Sequence, residues 1–130
     1  MADLNDVRQI VLALPETVVE PDLSAFAVVR QGKRKGLAWV WLERNHPKKP
    51  RVPNREVLAV RVRDIEEKDM FLASHPTALF TEPHYAGYPA VLVRLPVIPV
   101  DDLRELLVNA WRCQAPPALV KRYDEQRRAR

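Results

Sequence analysis

The sequence predicts an α+β domain in which helices cover one face of an antiparallel sheet. Strand-like segments come in adjacent pairs, helical segments separate those pairs without regular β-α alternation, and the apolar residues switch between a period of two and a period near 3.6. The predicted order is α-β-β-β-α-β-β-α-α, over one domain spanning 1–130. With 47 % hydrophobic and 29 % charged residues, a chain of this length can fill one core and lies far from the composition of disordered chains.

Leu4, Val7, Ile10, Val11 and Leu14 recur at three- and four-residue steps, with Asp3 and Asp6 at the start, where the helix dipole favours anions. Pro15 ends this helix, because proline disfavours helical geometry in the residue before it. "SAFAVVR" and "GLAWVWL" read as two strands joined by a turn at "QGKRK". Strict alternation puts Leu37, Trp39 and Trp41 on one side of the second strand and Ala38, Val40 and Leu42 on the other; with both sides apolar this describes a central strand, whose tryptophans belong to the core in preference to stacking on unpaired bases. Residues 43–55, with Pro47, Pro50 and Pro53, show neither period and read as an exposed loop.

"EVLAVRV" is a third strand with Leu58, Val60 and Val62 inward and Arg61 and Arg63 opposite. Asp64 and Glu67 have capping-box spacing for a helix that turns Ile65, Phe71 and Leu72 inward and closes at His75 and Pro76. "ALF" and "AVLVRL" form a second hairpin around "PHYAGY". Asp101 and Asp102 then open a helix bearing Leu103, Leu106, Leu107, Ala110 and Trp111, and Pro116 and Pro117 start a last helix through Leu119, Val120 and Tyr123.

Charge is distributed unevenly. Residues 30–55 hold nine basic residues against one acid, Glu43, a net +8, while the other 12 basic and 16 acidic residues leave the remainder at −4. Such asymmetry bears on partners and solubility, not on fold. The glycines are too few and scattered for a phosphate-cradling loop, and Ser24 and Ser74 sit in no nucleophile motif. Cys113 on its helix reads as a buried, inert thiol, and one cysteine with His46, His75 and His84 far apart makes no zinc site. No metal, nucleotide or other cofactor is expected, and no catalytic residue is assigned. The absence of a long apolar run and of secretory-signal order places the chain in the cytoplasm and away from membranes.

"DIEEKDMFLASHP", "PHYAGYPAVLVRL" and "LRELLVNAWRCQAP", within residues 64–124, together with "VRQIVLALP" near the start, resemble the MmcQ/YjbR-like family of small bacterial proteins. The resemblance implies a frataxin-like, or double-wing, α+β fold and the label DNA-binding, and it brings no agreed catalytic motif. Iron, which a frataxin-like fold suggests, calls for a carboxylate ridge on the first helix, and Asp3 and Asp6 alone do not make one.

The functional expectation is therefore a non-enzymatic domain, monomer or weak dimer, that binds nucleic acid, DNA in the first place, weakly and without base specificity. Its contacts would be Lys33, Arg34, Lys35, Arg44, Lys48, Lys49, Arg51 and Arg55, converging in one electropositive patch that displaces counterions from phosphates. Against this stands the plain reading that these residues only solvate turns and guard a sheet edge. The alternative function is a protein-interaction or small-ligand module using a cleft at His84, Tyr85 and Tyr88, whose rings offer apolar bodies with polar tips.

Overall fold

The computed structural model describes residues 2–44 and 48–128. Ten regular elements follow one another: α1 (Leu4–Leu12), β1 (Thr17–Val19), β2 (Ala25–Arg30), β3 (Lys33–Glu43), β4 (Val52–Arg61), α2 (Ile65–Ser74), β5 (Leu79–Phe80), β6 (Ala90–Arg94), α3 (Val100–Gln114) and α4 (Pro117–Arg128). A single 3-10 turn, Pro83–Tyr85, lies between β5 and β6. The six strands form one antiparallel sheet in the order β1-β2-β3-β4-β6-β5. The architecture is the predicted α+β one, with one strand more than expected.

That strand is β1. Thr17, Val18 and Val19 are all β-branched and suit a pleated edge, but the flanking Pro15 and Pro21 suggest a link instead. Thr17 Oγ1 lies 2.8 Å from the Val11 carbonyl and 3.0 Å from that of Leu14, so the same residue caps α1 and starts the sheet.

α1 and α3 cover one side of the sheet. Val7 and Val11 from α1, Leu103, Leu107 and Trp111 from α3, and Phe26, Val28, Leu58 and Val60 from the strands are buried together in the main core. Trp111 Nε1 donates to the Pro15 carbonyl at 3.0 Å, satisfying its buried donor and tying α3 to the end of α1. α4 buries no residue fully. It rests on α3 through the Tyr123 ring, 4.9 Å from that of Trp111, and through a bidentate pair in which the Arg112 guanidinium donates to both Asp124 carboxylate oxygens at 2.6 and 2.8 Å.

Three sequence expectations need correction. The turn between β2 and β3 is only Gln31-Gly32, at φ 53 and 75, the backbone of a type I′ hairpin whose twist matches that of the strands. Lys33, Arg34 and Lys35 are thus strand residues and not turn residues. The loop over 43–55 is shorter as well, because β3 continues to Glu43 and β4 begins at Val52, with Pro53 pairing opposite Leu42. Asn45, His46 and Pro47 of that loop lie outside the described residues.

The third correction concerns which residues of β3 face the helices. Phe26 pairs with Ala38 but Ala27 pairs with Gly36, so Leu37 is an extra residue in a β-bulge and enters the main core beside Ala38 and Val40. Trp39 and Trp41 consequently point to the opposite, helix-free side. There they are half-buried over Val57, Ala59 and Leu92. The helix α2 also differs in detail: Ile65 is 40 % exposed, while Glu67 and Lys68 are buried beside Phe71.

Candidate functional site

The site grows from a fault in the β3–β4 ladder. Val40 pairs with Leu58, and the next residue, Trp41, pairs with Asn54, so Arg55, Glu56 and Val57 are interposed on β4 against a single step on β3. A cleft of about 420 Å³ opens at this level. Trp39 and Trp41 from β3, Arg51 and Arg55 from the start of β4 and His84 and Tyr85 from the 3-10 turn line it, and the Asp22–Ser24 turn closes one end.

Each wall is held by identifiable bonds. Trp39 Nε1 donates to the Tyr85 hydroxyl at 3.0 Å, and the Tyr85 and Tyr88 rings stand 5.7 Å apart. Trp41 meets Phe80 edge to face at 6.0 Å, and the Arg94 guanidinium lies 4.0 Å from the Phe80 ring centre. Arg55 donates through Nη2 to the Asp22 carbonyl at 2.8 Å, and Arg51 through Nη1 to the Leu42 carbonyl at 3.1 Å. Hydrogen bonds from Ser24 hold the Asp22 carboxyl below its ordinary pKa, with the Arg55 charge adding to the effect. The Trp41 Nε1 donor is buried and has no hydrogen-bond partner among the described residues.

Behind the tyrosines stands Lys68, 3 % exposed, whose Nζ donates to the Tyr85 carbonyl at 2.6 Å and the Tyr88 carbonyl at 2.9 Å. Burial lowers its pKa, and the Asp69 charge partly restores it. Beside it Glu67 Oε1 accepts from the Arg63 backbone N–H and from Asn109 Nδ2, both at 2.8 Å. Burial, and next the Glu67 charge, raise the Cys113 pKa, so that thiol is a poor nucleophile. The sequence does carry a sign of Lys68: it stands three residues before Phe71 and four before Leu72, on the inward stripe of α2.

The basic stretch does not gather into one patch. β3 spans about 33 Å between Lys33 and Glu43 at ~3.3 Å per residue. Lys33, Arg34 and Lys35 lie at its hairpin end, and Arg44, Lys48, Lys49, Arg51 and Arg55 at the other. Arg34 is engaged by Glu20, Nη1 to Oε1 at 2.6 Å. Arg51 and Arg55 line the cleft with His84 and Tyr85, whereas Tyr88 reaches it only through its contacts with Tyr85 and Trp39. Residues assigned by sequence to two rival sites thus meet in one place. The tryptophans between them, which the sequence reading favours for the core, stand on the opposite side of the sheet.

Among the described residues no cluster of three or more His, Cys, Asp or Glu is placed to hold a metal ion, and no helix is long and apolar enough to cross a membrane. The fold and site define a small α+β sandwich whose open sheet face carries an aromatic cleft rimmed by arginines. No family model matches the chain. It is 41 % identical over 132 aligned positions to the uncharacterized proteins Rv2570 of Mycobacterium tuberculosis and Mb2600 of Mycobacterium bovis, covering 95 % of this chain and 96 % of each of those. The chain belongs to the family of these mycobacterial proteins. Its fold matches the crystal structure of Deinococcus radiodurans protein DR2400, a DUF419 domain, with a TM-score of 0.58 and 22 % identity over 85 % of this chain and 77 % of that one.

Proposed function

We propose that the domain is a non-enzymatic nucleic-acid-binding module that takes unpaired bases into the cleft on the helix-free face and holds their phosphates with Arg51 and Arg55. The observation that carries this reading is the meeting of two half-buried tryptophans with two arginines of the +8 stretch at one opening. Aromatic rings on an open sheet can stack any base, each stack stabilising by about 1–3 kcal/mol, and arginines at the rim add charge that screens with salt. Nothing in this arrangement reads a base edge, so the binding is by stacking and charge and without base specificity. The DUF419 fold together with the matching segments within residues 64–124 supports placing the domain in the MmcQ/YjbR-like group.

The test is quenching of tryptophan fluorescence by a short oligothymidylate at about 50 and 200 mM salt, where one or two phosphate contacts predict a shallow fall in affinity with a slope near −0.7 each. Arg51→Glu with Arg55→Glu should weaken binding at least tenfold. Unchanged affinity in that double variant would refute the reading. The cleft volume, within the roughly 300–1,000 Å³ range of small-molecule pockets, favours a second reading in which a single small aromatic anion is the ligand. A mononucleotide binding as tightly as the oligomer would select it.

A further inference from the structure

We infer that β3 sets the length of the bound strand: a single nucleic-acid strand lies along its helix-free side from the tryptophan cleft to Arg34, and Glu20 competes with that strand for Arg34. The inference rests on the function proposed above and names the extent and the far contact of the same site.

Pairing fixes which side each residue of β3 occupies. Val28 is buried in the main core and pairs with Lys35, so Lys35 belongs to the helix side and its neighbours Arg34 and Gly36 to the other. Past the Leu37 bulge, Trp39 and Trp41 return to that same helix-free side. One side of one strand therefore carries, in line, Arg34, Gly36, Trp39 and Trp41. Gly36 has no side chain to interrupt the path and the Trp39 ring lies against it, while the β2 partners of Gly36 and Trp39 are the small residues Ala27 and Ala25. Among the described residues, that side of the sheet is packed by Trp39, Trp41, Phe80 and Tyr85 and by no α-helix.

Arg34 stands seven residues from Trp41, or about 23 Å at ~3.3 Å per residue. A strand stacked at ~3.4 Å per nucleotide covers that distance with roughly seven nucleotides, within the 4–16 typical of single-strand binding folds. Arg34 is already paired with Glu20, but both side chains are open to solvent, at 62 % and 41 % exposure, and such a pair contributes little and exchanges readily for a phosphate. Glu20 then acts as a built-in rival that a strand too short to reach Arg34 never meets. Lys33 and Lys35, on the opposite side of the hairpin, lie off the path and serve only as distant charges.

The experiment compares oligothymidylates of four and ten nucleotides with the full chain and three variants: Glu20→Gln, Arg34→Gln, and Arg51→Glu with Arg55→Glu. Positions 20 and 34 are solvent-exposed, so the first two variants keep the fold. Arg34→Gln is expected to weaken the ten-nucleotide complex about three- to tenfold and flatten its salt dependence by about 0.7 in slope, leaving the four-nucleotide complex unchanged. Glu20→Gln is expected to tighten the longer complex a few-fold and leave the shorter one alone. Equal affinities of the native chain, Glu20→Gln and Arg34→Gln for the ten-nucleotide strand would overturn the inference while leaving the cleft reading intact. Retention of four-nucleotide binding by the Arg51/Arg55 variant, or no binding of either oligomer to the native chain, overturns both.

Discussion

Replacing Lys68 by Met removes the ammonium group that holds the tyrosine wall of the cleft. Two charge-assisted bonds are lost, each in the range of about 1.5–3 kcal/mol. Neither carbonyl is orphaned, however, because the Tyr85 carbonyl still accepts from the Tyr88 N–H at 3.0 Å and the Tyr88 carbonyl from the Ala90 N–H at 2.8 Å. Removing a charge from an apolar surround also returns part of its desolvation cost, and Met fills nearly the same volume. The net loss should therefore be about 1–2 kcal/mol, or roughly 3–8 °C in Tm for a domain of this size. The local effect is the more telling one. With the wall loosened, the Trp39 indole N–H that donates to Tyr85 should exchange with solvent roughly tenfold faster, which corresponds to ~1.4 kcal/mol of local opening. Thermal unfolding and amide-and-indole hydrogen exchange by NMR give both readouts. A variant with native Tm and native Trp39 exchange would show that the tyrosines are held from the sheet side alone and that the clamp is idle.

Three further outcomes follow from the geometry. Gly32→Val places a β-branched residue at φ 75 in the hairpin turn and should cost about 1–2 kcal/mol, measured as a shift of the urea midpoint with unchanged slope; no shift would contradict the turn geometry. Trp111→Ala empties the centre of the main core and abandons the Pro15 carbonyl, so a loss of about 3–5 kcal/mol is expected by chemical denaturation. The Asp124 carboxyl, held below its ordinary pKa first by its hydrogen bond from Arg112, contributes stability that is present above pH 3.8 and lost as pH falls through the lowered folded value. Asp124→Asn should accordingly lower Tm near neutral pH and converge with the native chain only once pH has fallen below the lowered folded value, and parallel pH profiles would show the pair to be inert.

Much of the fold was legible because the decisive signals are local. The i, i+3, i+4 spacing in α1 and α3, the proline stops, and the alternation at Leu58, Val60 and Val62 each report on residues a few positions apart. What escaped depends on pairing across the sheet. The Leu37 bulge is set by how β3 meets β2: alternation along one chain groups Leu37 with Trp39 and Trp41 on a strand apolar on both sides, whereas the bulge sends Leu37 into the main core and leaves the tryptophans to form the cleft. The interposed Arg55–Val57 segment is likewise invisible along one chain, since proline-rich composition masks a strand that starts on the far side of the discontinuity. Lys68 was missed for a different reason: hydropathy counts a lysine as surface even when two backbone carbonyls make a buried place for it.

If Leu37 were paired in strict alternation, with no bulge, everything upstream of it would be turned by half a turn relative to the tryptophans. Lys33 and Lys35 would then share a side with the tryptophans, Arg34 would leave it, and Glu20 would lose its partner. The unpaired Leu37 thus decides which of three neighbouring cations shares a surface with the indoles, a selection made by strand register and not by charge.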